Sequence, residues 1–203
     1  MIKNIVFDLG NVLISFKPSE FLDKKGYSSE EKNIILNDIF NSQEWTRIDK
    51  GEITTPEAID LISVKSSLKK AEISSFFDLR RDILYPVKQN IKILPALKKQ
   101  GYRLYFLSNF PDDLFDEVYS GNAFFRYFSG GIISARVKAA KPDRKIFDIL
   151  LEKYSLIPEE CLFIDDIETN ILTAKTVGMK AIWLYDSLDL KQLIEEALNY
   201  NSR

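Results

Sequence analysis

Five short apolar stretches constrain this chain more than any other feature: Ile2–Phe7, Arg103–Leu107, Gly131–Ile133, Cys161–Ile164 and Ala181–Leu184. Most are continuous runs and not apolar–polar alternations, as in strands of a parallel sheet covered on both faces. Helical patterns separate the later runs. Ile93, Leu94 and Leu97 precede Lys98, Lys99 and Gly101, the charges and C′ glycine suited to a helix end. Phe147, Leu150, Leu151 and Tyr154 share one helical face, with Pro158 just beyond; Leu190, Leu193, Ile194, Ala197 and Leu198 make a terminal amphipathic helix. This alternation predicts an α/β fold, a Rossmann-like parallel sheet with helices on both faces.

The stretch from about Lys17 to Val87 breaks the alternation. It shows no convincing strand, but helix starts recur: Ser28 and Glu31 have capping-box spacing, and Thr55 precedes Pro56 at an expected N1 position. Ile34, Ile35 and Phe40, then Ile59, Leu61 and Ile62, supply apolar surface. A set of ordinary crossover helices is the plainer explanation, yet one crossover needs only about a dozen residues. The expectation is therefore a small all-α domain, residues 17–87, inserted after strand 1 into a core built from residues 1–16 and 88–203.

Composition removes several functions. The 203 residues are 45% hydrophobic and 29% charged, ordinary for a globular protein. A formal net charge of −2 gives no bulk basic field to gather nucleic acid or anionic lipid, so an anionic substrate needs a local positive site. No apolar run approaches the roughly 20 residues that span a membrane, and the N-terminus enters a strand without a signal peptide. Cys161, the single cysteine, cannot form an internal disulfide and sits in an apolar run; a reducing, cytoplasmic setting fits it. Histidine is absent, which excludes His-dependent triads, imidazole acid–base chemistry and histidine metal sites. Oligomeric state is not readable from the sequence.

Four constellations close predicted strands or open helices: Asp8 in "IVFDLGNVL", Ser108–Asn109 in "FLSN", Lys141–Pro142 in "AAKPDRKIF", and Asp165–Asp166 in "LFIDD", with Asn170 one turn on. Singly, each has a structural explanation: a helix N-cap for Asp8, a turn for Ser108–Asn109, a surface lysine before a helix for Lys141. Asp165–Asp166 resists one, because adjacent carboxylates repel unless a cation or hydrogen-bond donors compensate. Strand C-termini line the crevice where open parallel sheets bind ligands, so these residues can converge. Three acids, a lysine and a hydroxyl without histidine suit Mg²⁺ bound beside a phosphate. A carboxylate can attack phosphorus to form an aspartyl-phosphate, with lysine and Mg²⁺ neutralising the transferring group.

In this order the four motifs resemble those of the haloacid dehalogenase superfamily, over roughly residues 1–16 and 88–203. The insert resembles that family's C1 cap, and "DKGEIT" (Asp49–Thr54) its recurring cap turn. The branch it is most similar to is shared by the phosphatase domain of soluble epoxide hydrolases and bacterial sugar-phosphate phosphatases. The resemblance implies that Asp8 is nucleophile and metal ligand, Asp166 a second carboxylate ligand supported by Asp165, and the carbonyl of Gly10 a third. It also implies that Ser108 and the Asn109 N–H bind phosphate, that Lys141 bridges phosphate and nucleophile, and that Asn170 orders the loop. The implied cofactor is Mg²⁺ and the implied partner a small phosphorylated substrate, with Trp45, Arg47 and Lys50 of the cap as candidate substrate contacts; a core tryptophan and two solvated cations are the alternative.

One position departs from the pattern. Most phosphatases of this family carry a second aspartate two residues after the nucleophile, as general acid and base; here Gly10 stands there. Such catalysis is worth about 10²–10⁴-fold. Three expectations follow. The protein is a phosphatase whose substrate, such as a sugar phosphate, tolerates the loss, as in sugar-phosphatase members that share the "DLGNV" stretch. Or the acid comes from elsewhere: Glu44, Asp49, Glu52, Asp112 or Asp113. Or the chain is no phosphatase, but a metal-independent 2-haloacid dehalogenase or a retired phosphate- or protein-binding module. Asp165–Asp166 argues against the dehalogenase, and the cost of unneeded buried charge against retirement.

Overall fold

The computed structural model describes residues 1–185 and 189–199. Its strands, in chain order, are β1 (Asn4–Phe7), β2 (Ile14–Phe16), β3 (Leu84–Pro86), β4 (Arg103–Ser108), β5 (Gly130–Ile133), β6 (Cys161–Asp165) and β7 (Lys180–Trp183). Five form one all-parallel sheet in the order β5-β4-β1-β6-β7, so β1 is central and hydrogen-bonds to β4 on one side and β6 on the other. The five expected strands are these five, with ends shifted by one or two residues because ladder pairing, not hydropathy, ends a strand.

Alternation of side chains along buried strands sorts the core into two layers. Ile5 and Phe7 point to a cluster with Leu94, Leu97, Phe115, Leu190 and Ile194, whereas Val6 points to one with Ile146, Phe147, Leu150 and Ala174. Both faces are apolar, and this is why the runs do not alternate in sequence. The helix Leu94–Lys99 is followed by Gly101 at φ +94°, and the Arg144–Tyr154 helix buries Ile146, Phe147 and Leu150.

Between β2 and β3 the chain forms helices Pro18–Lys25, Ser29–Ile35, Gln43–Asp49, Thr55–Lys65, Lys70–Asp78 and Arg80–Ile83. They enclose a third apolar cluster that includes Leu22, Ile35, Ile39, Ile62, Ile73, Phe76 and Phe77. Ser28 and Glu31 form the expected capping box. Three expectations are corrected. The stretch 17–87 does contain a strand: β3 pairs antiparallel with β2, Ile14 opposite Pro86, a ribbon at the root of the insert. Three residues per strand, paired across some 70 positions, leave no periodic signal. The cap of the next helix is Thr54, boxed with Glu57, so Thr55 is N1 and Pro56 follows it. Leu61 is 42% exposed and so lies outside the apolar cluster.

The insert is tied down on the core in two places, the first at a turn. Gly51 has φ +67°, and a Cβ there would collide with the Ala135 carbonyl, so only glycine permits the approach. Next to it the Ser134 hydroxyl donates to the Asp49 carbonyl and accepts from the Phe110 N–H at 2.9 Å. A second tie joins Arg80 and Thr55 of the insert to Asp113 of the core, at 2.9 and 2.7 Å. Among the described residues no helix is long and apolar enough to cross a membrane.

Candidate active site

Because β1 lies between β4 and β6, residues that follow these strands meet at one edge. Phe7 is in register with Ile164, and the Asp8 N–H donates to the Ile164 carbonyl at 2.8 Å, which sets Asp8 beside Asp165. Asp8, Asp165 and Asp166 each present a carboxylate oxygen within 4.8 Å of the others. Lys141 enters between two of them: its Nζ lies 2.8 Å from Asp8 Oδ1 and 2.6 Å from Asp165 Oδ2, and its side chain is only 1% exposed.

These charges are poorly hydrated. Burial raises the Asp8 carboxyl to about 7; the Lys141 ammonium pulls it back, and the charges of Asp165 and Asp166 add to the rise. Burial also raises Asp166, although the Asn11 amide, donating at 3.1 Å, opposes this. Burial works against the Lys141 ammonium too, but Asp8 and Asp165 outweigh it and hold the amine above its usual range. Three carboxylates against one ammonium leave a deficit of two positive charges. A hard divalent cation with oxygen ligands matches that donor set.

The three acids are not equivalent. Both Asp165 oxygens are engaged: Lys141 donates to one, and the Asn170 amide (2.9 Å) and Ile167 N–H (2.8 Å) to the other. Among the described residues the Asp166 carboxyl accepts from the Asn11 amide and from its own backbone N–H, fewer partners than Asp165 has. The Gly10 carbonyl accepts from the Val12 N–H at 2.6 Å and keeps a second lone pair. Ser108 closes β4 in a buried position. The Asn109 side chain clamps the lysine loop, since its amide donates to the Lys141 carbonyl (2.9 Å) and its oxygen accepts from the Lys141 N–H (2.8 Å).

Between insert and core lies a cavity of about 80 Å³ with Gly10 in its wall. Phe16, Trp45, Leu84, Phe110 and Leu114 make it mostly apolar, and Asp49, Arg80 and Asn109 supply polar groups. Trp45 reaches it while stacked on Phe16 and Phe77, so it is at once a core residue and a wall of the cavity. Arg47 instead pairs with Glu52 at 3.5 Å on the surface, and neither Arg47 nor Lys50 lines the cavity. A larger hollow of about 540 Å³, beside Lys92 and Ile194, holds none of the converging groups.

Sequence reading missed Asn11 and Arg80. Asn11 adopts φ +50°, a conformation asparagine tolerates, and its side-chain oxygen accepts from the Phe16 N–H at 3.0 Å while its amide reaches Asp166. The Gly-Asn pair was the available signal. Arg80 gives none, because its place depends on the fold of the whole insert.

Burial raises Asp49 from 3.8 to about 7; Arg80 opposes this, and the charges of Asp113 and Asp8 add to it. A raised carboxyl stabilises the fold fully below about pH 4, and that contribution is lost as pH rises through about 7. Asp49→Asn is therefore expected to melt higher than the wild type at pH 8 and to show a flatter Tm between pH 4 and 8. An unchanged Tm profile would show that the carboxyl is well hydrated.

Several known proteins are similar to this chain along most of its length. A sesquiterpene phosphatase of Aspergillus oryzae is 28% identical over 95% of this chain and 96% of its own length. A D-ribitol-5-phosphate phosphatase of Bacteroides thetaiotaomicron is 25% identical over 98% of this chain and all of its own. A crystal structure of a Bacteroides thetaiotaomicron enzyme of the haloacid dehalogenase family, in complex with magnesium and inorganic phosphate, superposes with a TM-score of 0.72 at 27% identity, covering 95% of this chain and 99% of that one. The family model of the haloacid dehalogenase-like hydrolases matches residues 2–178, and the chain belongs to that family.

Proposed function

We propose that this hydrolase is a Mg²⁺-dependent phosphomonoesterase acting on a small phosphorylated metabolite through an aspartyl-phosphate on Asp8. The junction of Asp8, Lys141, Asp165 and Asp166 at the carboxyl ends of β1 and β6 carries the reading. The relatives named as phosphatases, and the related structure with magnesium and phosphate, support it.

Mg²⁺, held by Asp8, Asp166 and the Gly10 carbonyl, would offset the charge of the phosphoryl oxygens. An Asp8 carboxylate oxygen attacks phosphorus. The Lys141 ammonium, fixed between Asp8 and Asp165, balances charge on the transferring group, and the Ser108 hydroxyl and Asn109 N–H orient its oxygens. Asn170 holds Asp165, and through it the lysine. Residues 17–87 serve as a cap over a core of residues 1–16 and 88–203, and closure of such a cap admits only a small substrate. The working compartment is cytoplasmic, in keeping with one buried thiol.

The substrate is a sugar phosphate, with the Trp45 ring against the sugar. The apolar lining of the cavity favours a second reading, a monoester of an apolar alcohol. A phosphate-release screen tests both, with Mg²⁺ and anomeric and other sugar phosphates, nucleotides, acyl phosphates, a prenyl monophosphate and an activated aryl phosphate. Release that stops with EDTA is expected. No turnover, or metal-independent halide release from a 2-haloacid, would overturn the assignment.

A further inference from the structure

Within the proposed reaction, Gly10 leaves no acid two residues after the nucleophile, and the leaving oxygen needs a proton from elsewhere. Five carboxylates stood as candidates, and the structure separates them. Glu44 is paired with Lys65 at 2.5 Å, Glu52 with Arg47 at 3.5 Å, Asp112 with Arg136 at 2.6 Å, and Asp113 with Arg80 at 2.9 Å. None of these four lines the cavity that Gly10 opens onto.

Asp49 does line it. Among the described residues no hydrogen bond holds its carboxyl group, although its backbone is anchored: the Ser134 hydroxyl donates to its carbonyl, and Gly51 abuts Ala135. Asp49 is thus held at a point fixed on the core, in the wall of a mostly apolar cavity that Gly10 also lines. We infer that Asp49 is the general acid and base of this enzyme, reaching from the insert to the space beside Gly10; the inference rests on the phosphatase reading above. Its desolvation keeps the proton on near neutral pH, as an acid for the first step requires.

The steps balance. Asp8 Oδ forms a bond to phosphorus as the bond from phosphorus to the alcohol oxygen breaks. The leaving oxygen takes its electron pair and the proton from Asp49, which becomes a carboxylate. In the second step a water oxygen bonds to phosphorus while Asp49 takes one of its protons. The phosphorus–Asp8 bond then breaks and returns its electrons to the Asp8 carboxylate, so alcohol and phosphate leave and both aspartates are restored.

The test compares an activated aryl phosphate, whose leaving group needs no proton, with an alkyl phosphate, whose leaving group does. Asp49→Asn is expected to slow the alkyl ester by about 10²–10³-fold and the aryl ester by less than about fivefold. A residue with only a structural role would slow both alike. Gly10→Asp in that background is expected to recover alkyl turnover, because a Cβ at Gly10 meets nothing closer than Asp8 Oδ2 at 3.7 Å; Asp49→Glu is expected to keep the wild-type pattern. Equal slowing of both esters, no slowing of the alkyl ester, or a loss that neither second variant repairs overturns the role of Asp49. A wild-type protein with no Mg²⁺-dependent release from either ester overturns the phosphatase reading itself.

Discussion

Asp8→Asn is expected to lower Mg²⁺-dependent phosphate release by on the order of 10⁴-fold or more, on every substrate that the wild type turns over. An amide keeps the shape but lacks the charge and the nucleophilic oxygen. The fold should survive, since the amide oxygen can still accept from the Leu9 N–H, which lies 2.7 Å from Asp8 Oδ1. The metal-free variant should even unfold at higher urea near neutral pH, because one buried carboxylate of a crowded set has gone. Phosphate release and urea unfolding of the purified variant measure both. Residual turnover above about 1% would place the nucleophile elsewhere.

Lys141→Met carries the second large effect, on stability as much as on rate. The ammonium is the single cation bonded to Asp8 and Asp165 among the described residues, and all three side chains are buried. Removing one member of a buried ion pair typically costs about 3–5 kcal/mol, because the partner charge stays behind. Urea unfolding without metal should show that loss. Mg²⁺ should recover part of it and raise the midpoint more in the variant than in the wild type, since a divalent cation neutralises the same carboxylates. Turnover with saturating Mg²⁺ should still fall by on the order of 10²–10³-fold, the loss expected for one stabilising charge at the reacting group. An unchanged metal-free midpoint would mean that the lysine does not neutralise the site.

The sheet was legible because burial on both faces writes itself into sequence. Ile5, Val6 and Phe7 face opposite layers, yet all must be apolar, so β1 reads as a continuous run. The capping box at Ser28 and the glycine after the Leu94–Lys99 helix are equally local, set by hydrogen bonds within a few residues. The β2–β3 ribbon was not legible. Its strands are three residues long, and their pairing is decided by where the insert leaves and re-enters the core.

The site divides along the same line. That Asp8, Ser108, Lys141 and Asp165–Asp166 fall at strand ends or before helices follows from hydropathy and order alone, and composition adds the absence of histidine, which leaves carboxylates, lysine, hydroxyls and hard metals for the chemistry. That β1 lies between β4 and β6, with β5 beside β4 and the loop after β5 clamped by Asn109, brings Asp8 to 2.8 Å from a lysine 133 positions away, and only long-range pairing fixes that order. Likewise, Asp49 in sequence is one of five unremarkable surface acids. Tertiary structure distinguishes it, because the other four are ion-paired and do not line the cavity, while Ser134 and Ala135 fix its turn against the core. Local chemistry is written in the chain; which acid stays unpaired depends on what the folded surfaces leave beside it.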